Sequence, residues 1–174
     1  MNASKYAGLS LIEVLISLII FAVGLLGIAS MLLFSNKSNN SSYSKLQAVQ
    51  SVYDIMDRMR ANSTAAINGN YNVSNISSAP VAPSAPSALC NQIACTPSQL
   101  ASYDIWYWLT HVVGQLPLGS ASISTSAAPG SAGNTIVTVT VQWDDSLAQN
   151  QLGAIGTVSS ANPNFTQLSL QGQL

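Results

Sequence analysis

Charged side chains are scarce in this chain, and their scarcity excludes some kinds of function. Only 6% of the 174 residues are Asp, Glu, Lys or Arg, against about a quarter in ordinary globular proteins. No Lys or Arg follows Arg60, so the longer C-terminal part of the chain has no basic patch. Binding to a phosphate backbone depends on such side chains. The sequence therefore predicts no nucleic-acid partner.

Histidine and cysteine are also rare. His111 is the only histidine, and Cys90 and Cys95 are the only cysteines. A four-ligand zinc site would have to be completed by carboxylates. The sequence shows neither an ordered set of Ser, His and Asp nor a glycine-rich phosphate loop. We therefore expect no metal, no cofactor and no enzymatic activity.

The spacing of the two cysteines is compatible with free thiols or with a disulfide, and we favour the disulfide. Cys90 and Cys95 are separated by Asn-Gln-Ile-Ala. A disulfide indicates an oxidising compartment. This one would close only a small loop, so the stabilisation from chain entropy is modest.

What the chain does contain is a long apolar run near its N-terminus. Residues 9–34, 26 in all, carry one charge, on Glu13. A helix of that length covers roughly 39 Å at about 1.5 Å per residue and can cross a hydrocarbon core of about 30 Å. The run is longer than the apolar region of a signal peptide, and no clear small-x-small cleavage site follows it. We predict a transmembrane helix over residues 9–34, preceded by a cytoplasmic leader at residues 1–8.

Glu13 is out of place in such a helix. An ionised Asp at the centre of a membrane helix costs roughly 2.5–3.5 kcal/mol on the insertion scale. Ionisable residues of this kind are candidates for function, and a partner should be sought. A cut after Gly8 would free an amine on Leu9, four residues before Glu13. We predict that this amine becomes the counter-ion of the Glu13 carboxylate.

The residues around this cut resemble the prepilin processing signature of type IV pilins and type II secretion pseudopilins. They read Gly-Leu-Ser-Leu-Ile-Glu-Val-Leu over residues 8–15. The resemblance implies that a prepilin peptidase cuts after Gly8 and methylates the new N-terminus at Leu9. It also implies that Glu13 pairs with an N-terminal amine during filament assembly. Leu9 stands where the family usually has Phe, and Ser10 where it usually has Thr.

A second helical segment follows the apolar run. Residues 35–44 are poor helix formers, but from Lys45 apolar residues recur at spacings of three or four. These residues are Leu46, Val49, Val52, Tyr53, Met56 and Met59. The pairs Asp54/Arg58 and Asp57/Arg60 support a helix. We expect residues 35–62 to form the amphipathic half of one long N-terminal helix.

Residues 63–174 are expected to form a globular head. Thr96, Pro97 and Gln99 form the start of a capped helix, which Gly114 can end. The two tryptophans of this helix face roughly opposite ways, so one of them can be exposed. Asn68-Gly69 is a turn signal.

Three segments of the head have strand patterns. Residues 135–143 alternate clearly between two faces, and residues 120–126 and 165–170 do so more weakly. Residues 74–88 are rich in Ser, Ala and Pro and indicate an extended surface loop. Asp144 and Asp145 follow the clearest strand, where a solvated turn is favoured over a cation site. The pattern predicts a small antiparallel sheet that covers the amphipathic helix, an α+β fold.

Further runs are similar to those of PilV-type minor pilins. They are Asp-Arg-Met-Arg-Ala-Asn at residues 57–62, the segment 95–106, and the strand 135–143 with the two aspartates after it. The resemblance implies a type IV pilin-like fold and a minor pilin that primes or caps a pilus. The implied partners are a prepilin peptidase, the other minor pilins, the major pilin and the inner membrane.

The same resemblance implies two locations. Before assembly the protein is a single-pass inner-membrane protein with its head in the periplasm; after assembly it is part of a pilus at the cell surface. Two other functions remain open at this point. One is a minor pseudopilin of type II secretion, which shares the processing signature. The other is a membrane-anchored exported adhesin that binds a surface ligand.

Overall fold

The computed structural model describes residues 10–127, 134–146 and 164–174. The chain divides into two compact units, Met1–Asn39 and Asn40–Leu174. Helix α1, Leu11–Ala61, contributes residues to both units. The predicted leader, including Gly8, and the predicted mature N-terminus Leu9 lie outside the described residues.

The first unit contains the apolar half of helix α1. Its large apolar side chains between Leu11 and Phe34 are exposed, so this half of the helix has no protein core to bury them. Helix α1 is long and apolar enough in this part to cross a membrane, by length and composition. Exposed apolar residues on all sides of a helix are typical of a segment whose solvent is lipid.

Helix α1 continues without interruption through the polar residues 35–44. The low helix propensity of Ser and Asn costs only a few tenths of a kcal/mol per residue. Stopping the helix and starting it again would require a second, unfavourable nucleation. The polar segment therefore lowers the stability of the helix locally and does not end it.

In the second unit, helix α1 buries a face that differs in part from the predicted one. Val52, Met56 and Met59 are buried as expected, but Leu46 and Tyr53 are 55% and 54% exposed. The buried face consists of Ala48, Ser51, Val52, Ile55, Met56 and Met59. The small side chains at positions 48 and 51 let the head approach closely, so packing follows the small residues and the prediction from apolar spacing was wrong at two positions.

The head contains four helical elements and four strands among its described residues. In chain order they are α2 Ser63–Ile67, β1 Val73–Ser74, α3 Pro97–Tyr107, a π-helical turn Trp108–Val112, a 3-10 turn Val113–Gln115, β2 Ser120–Ala127, β3 Thr135–Asp144 and β4 Phe165–Gln173. The strands form one sheet in the order β1-β2-β3-β4, antiparallel throughout. The predicted α+β fold of a long helix and a small antiparallel sheet is confirmed.

Strand β3 is central in the sheet and shows the predicted alternation. Val137, Val139, Val141 and Trp143 are buried on one face, where they join the core that includes Met59 of helix α1. Strand β4 extends beyond the predicted residues 165–170 to Gln173, because its pairing with β3 continues to the register Ile136 to Gln173.

The turn and cap signals of the head are also present. Gly69 has φ of +77°, a conformation that glycine adopts without strain. The Thr96 side chain accepts a hydrogen bond from the Gln99 backbone N–H, and the Gln99 side chain accepts one from the Thr96 N–H. After helix α3 the chain continues through the π-helical and 3-10 turns, so helical backbone ends at Gln115, one residue after the predicted Gly114.

Cys90 and Cys95 are joined by a disulfide, with their Cα atoms 5.6 Å apart. The second cysteine directly precedes Thr96, the cap of helix α3. The closed loop therefore fixes the chain immediately before the helix begins.

Candidate assembly site and head-docking network

Glu13 lies in the first turn of helix α1. Its backbone N–H donates to the Ser10 carbonyl at 3.0 Å. A carboxylate at this position interacts favourably with the positive end of the helix dipole. The carboxylate makes no hydrogen bond or ion pair with any described residue, and its neighbours Ile12 and Val14 are exposed apolar residues. The position is thus suited to an external cation.

Other polar side chains of the apolar half are paired within the helix. The Ser17 hydroxyl donates to the Val14 carbonyl at 2.8 Å, and the Ser30 hydroxyl donates to the Leu26 carbonyl at 3.0 Å. Such bonds satisfy hydroxyl groups where no water is present. Gly8 and Leu9 lie outside the described residues, so pairing between Glu13 and the Leu9 amine stays a prediction.

In the second unit, a buried carboxylate on helix α3 connects that helix to helix α1. Asp104 is 5% exposed. Arg58 of helix α1 donates from Nη1 to Asp104 Oδ1 at 3.1 Å and from Nε to Asp54 Oδ2 at 3.0 Å. The predicted pair of Asp54 and Arg58 therefore exists, and the same guanidinium also reaches the head.

Two more side chains complete this network. The Tyr71 hydroxyl donates to Asp104 Oδ2 at 2.6 Å. Asn62 Nδ2 donates to the Tyr71 hydroxyl at 3.2 Å and to the Pro97 carbonyl at 2.8 Å. Both carboxylate oxygens of Asp104 thus accept a hydrogen bond, as a buried charge requires. Burial, together with the hydrogen bond to Asp104, raises the pKa of Tyr71 far above its ordinary value.

The network gives the run at residues 57–62 a physical role. Arg58 and Asn62 enter the network, and Met59 is part of the core. Asp57 and Arg60 form an exposed ion pair with a distance of 2.7 Å between Oδ1 and Nη1, which contributes little to stability. We name Arg58, Asn62, Tyr71 and Asp104 the head-docking network.

Sequence patterns pointed to three of the four residues of this network. Arg58 and Asn62 stand in the run at 57–62 and Asp104 in the segment 95–106, both of which resemble PilV-type proteins, but Tyr71 was not singled out. Asp104 was also detectable as the only charged residue of helix α3. Its partners were not, because they lie 33 and 46 residues away in the chain.

The aspartates after strand β3 have a structural role. One Asp144 oxygen accepts hydrogen bonds from the backbone N–H groups of Ser146 and Asn164, at 2.9 and 3.0 Å. Asp145 accepts a hydrogen bond from the Ser41 hydroxyl of helix α1 at 2.9 Å. Asp145 and Ser146 are only 6% and 5% exposed, so the prediction of a solvated turn was wrong: the carboxylates are held by hydrogen bonds within the protein. Among the described residues no group of acidic, His and Cys side chains could hold a metal.

Comparison with protein families finds two adjacent matches. Residues 3–29 match the family model of the prokaryotic N-terminal methylation motif. Residues 31–106 match the model named Tt1218-like and described as type IV pilin Tt1218. The second match begins in helix α1 and includes every member of the head-docking network. No curated protein and no solved structure matches the chain.

Proposed function

We propose that this chain is a minor pilin of the PilV type, because residues 31–106 match a type IV pilin model and residues 3–29 match the N-terminal methylation motif. In this proposal it is a structural subunit that helps to start or cap a type IV pilus. The head presents a surface to other minor pilins and to the major pilin. The resemblance of residues 57–62 and 95–106 to PilV-type minor pilins supports this subtype.

A single observation carries the proposal. Glu13 is the only charge in the apolar run at residues 9–34, it lies in the first turn of helix α1, and it has no partner among the described residues. An amine delivered to this position removes the cost of the isolated charge. Cleavage after Gly8 followed by methylation at Leu9 produces such an amine, either in the same subunit or in a neighbouring one.

The proposal divides the chain into four parts. Residues 1–8 are a leader, residues 9–34 cross the inner membrane, residues 35–62 form the amphipathic half of helix α1, and residues 63–174 form the periplasmic head. A disulfide between Cys90 and Cys95 supports an oxidising compartment for the head. After assembly the head is part of a pilus at the cell surface.

The decisive measurement is the intact mass and N-terminal sequence of the mature protein. We expect a chain that begins at Leu9 and carries one added methyl group on its amine. A Gly8→Ala variant serves as the control, and we expect it to keep residues 1–8. A wild-type protein that retains its leader, or that is cut beyond Phe34, contradicts the proposal.

A pseudopilin of type II secretion is the second candidate, because it shares the methylation motif matched by residues 3–29. Deletion of the gene separates the two. A pilus subunit is needed for piliation and twitching motility, and a pseudopilin is needed for secretion of exoproteins. We expect loss of piliation with normal secretion.

A further inference from the structure

An uncharged cleft lies between the proline-rich segment of the head and helix α3. It has a volume of about 300 Å³ and is bordered by Val73 to Asn75, by Ser84 and Pro86, and by Trp106 of helix α3. It shares Asn75, Pro83 and Leu109 with a second hollow of about 280 Å³. Each hollow is close to the lower limit of ordinary small-molecule sites, and the shared residues show that the two hollows adjoin.

The lining of the cleft selects against charged and against purely apolar ligands. No charged residue borders either hollow, so an ionised ligand would lose water without gaining a counter-charge. The Asn75 and Ser84 side chains have no hydrogen-bond partner among the described residues, and a wholly apolar ligand would cover them without satisfying them. The remaining class is a neutral ligand with both an apolar face and hydrogen-bonding groups.

Trp106 is held in place at one side of the cleft. Its ring lies 5.7 Å from the Tyr103 ring and 5.3 Å, edge-on, from the His111 ring. His111 in turn stacks on Tyr107 at 4.7 Å. This aromatic cluster restricts the Trp106 rotamer before a ligand arrives, which lowers the entropy cost of binding. Trp106 is half-buried, so part of its indole stays available.

We propose that this cleft binds a neutral oligosaccharide. A sugar ring has one face of C–H groups, which packs against the negative face of an indole, and a rim of hydroxyl groups, which can bond to Asn75 and Ser84. Two adjoining hollows offer room for more than one linked sugar ring. The inference does not rest on the pilin role, because it depends only on the geometry of the head.

The test uses the full-length protein in nanodiscs of phosphatidylethanolamine and phosphatidylglycerol, which carry no sugar. Saturation-transfer NMR is recorded with maltotriose, lactose, mannotriose and diacetylchitobiose, and with glucuronic acid and glucosamine as charged controls. We expect transfer to at least one neutral oligosaccharide and none to the charged sugars. Trp106→Ala should weaken that binding about tenfold or more, as the loss of a central aromatic contact does.

Two further variants keep the test informative if Trp106→Ala perturbs the fold. Asn75→Ala should weaken binding by about two- to tenfold, the effect of one lost hydrogen bond. Tyr53→Ala, which removes an exposed aromatic residue of helix α1 outside the cleft, should leave it unchanged. The proposal is overturned by an absence of transfer to every neutral sugar, by a preference for charged sugars, or by binding that both cleft variants leave intact. Tryptophan fluorescence gives one more outcome. If another pilin head changes the fluorescence of the wild type but not of Trp106→Ala, and no sugar changes it, the proposal is overturned as well.

Discussion

Asp104 shows how one buried charge can determine where a helix docks. Its two oxygens are shared between Arg58 of helix α1 and Tyr71 of the loop after α2. A buried ion pair adds little net stability over an apolar packing, but removing one partner is costly because the other charge stays buried. The carboxylate therefore penalises every arrangement in which helix α1 slips or rotates away from helix α3.

Arg58→Ala is expected to destabilise the head much more than Arg60→Ala. The first variant leaves Asp104 without its cation and should lower the free energy of unfolding by about 3 kcal/mol, the low end for a broken buried pair, since Arg58 is partly exposed. The second removes only an exposed pair and should cost less than about 1 kcal/mol. Denaturant unfolding of the full chain in micelles, followed by near-UV circular dichroism, measures both. Equal losses would show that Asp104 does not depend on Arg58.

The raised pKa of Tyr71 predicts how stability depends on pH. Below about pH 10, the ordinary pKa of tyrosine, Tyr71 is protonated in both states and its stabilising contribution is complete. Above that pH the unfolded chain releases the proton first, so the free energy of unfolding falls as pH rises toward the folded pKa. Tyr71→Phe should remove this part of the alkaline loss, and Tyr103→Phe should not. The measurement is the unfolding temperature as a function of pH above about pH 10. The same fall with pH in the wild type and in Tyr71→Phe contradicts the prediction.

At the level of the elements, helix α1 uses different faces for different purposes. The face toward the head has small residues at Ala48 and Ser51, and the Trp108 indole N–H donates to the Ser51 carbonyl at 2.8 Å. A larger side chain at either position would hold the π-helical turn that carries Trp108 away from helix α1. Leu46 and Tyr53 lie outside this contact and leave apolar surface exposed.

This division predicts a large loss of stability for one apolar truncation in helix α1 and almost none for another. Ile55→Ala removes a fully buried side chain and should lower the free energy of unfolding by about 2–5 kcal/mol. Leu46→Ala, at an exposed position, should change it by no more than about 0.5 kcal/mol. Both values come from the same unfolding assay. A larger loss at Leu46 than at Ile55 would place the buried face where the apolar spacing alone had put it.

For the molecule as a whole, Glu13 is expected to control entry into the filament and not folding. It is far in sequence from the head-docking network, and none of the described residues 10–39 of its own unit is buried. A neutral residue there makes the helix easier to hold in lipid and removes the counter-ion that we propose for the N-terminal amine. The protein should then stay in the membrane.

Glu13→Ala should be processed normally but incorporated poorly. Immunoblots of sheared pili and of membrane fractions, together with the intact mass of each pool, measure incorporation and processing separately. Ser17→Ala, in the same apolar stretch, is the matched control and should assemble as wild type does. Normal piliation by a strain whose only copy carries Glu13→Ala would argue against the assembly role.

Local signals in the chain predicted most of the elements. The capping box at Thr96, the turn at Gly69 and the alternation of strand β3 depend on residues within a few positions of one another, and all are present in the structure. The edges of the weaker strands were less predictable. Strand β4 continues to Gln173 because β3 supplies hydrogen bonds to it, and that partner lies in another part of the chain.

The amino-acid sequence is sufficient to establish the apolar N-terminal run, the isolated acid near its start and the α+β class, because each follows from composition or short-range periodicity. Folding decided which face of helix α1 is buried, which residues pair with Asp104, and that Trp106 borders a cleft. These features join residues that are distant in the chain, and their energies depend on close packing and on the burial of charge. Close packing and charge burial both arise only when the head packs against helix α1.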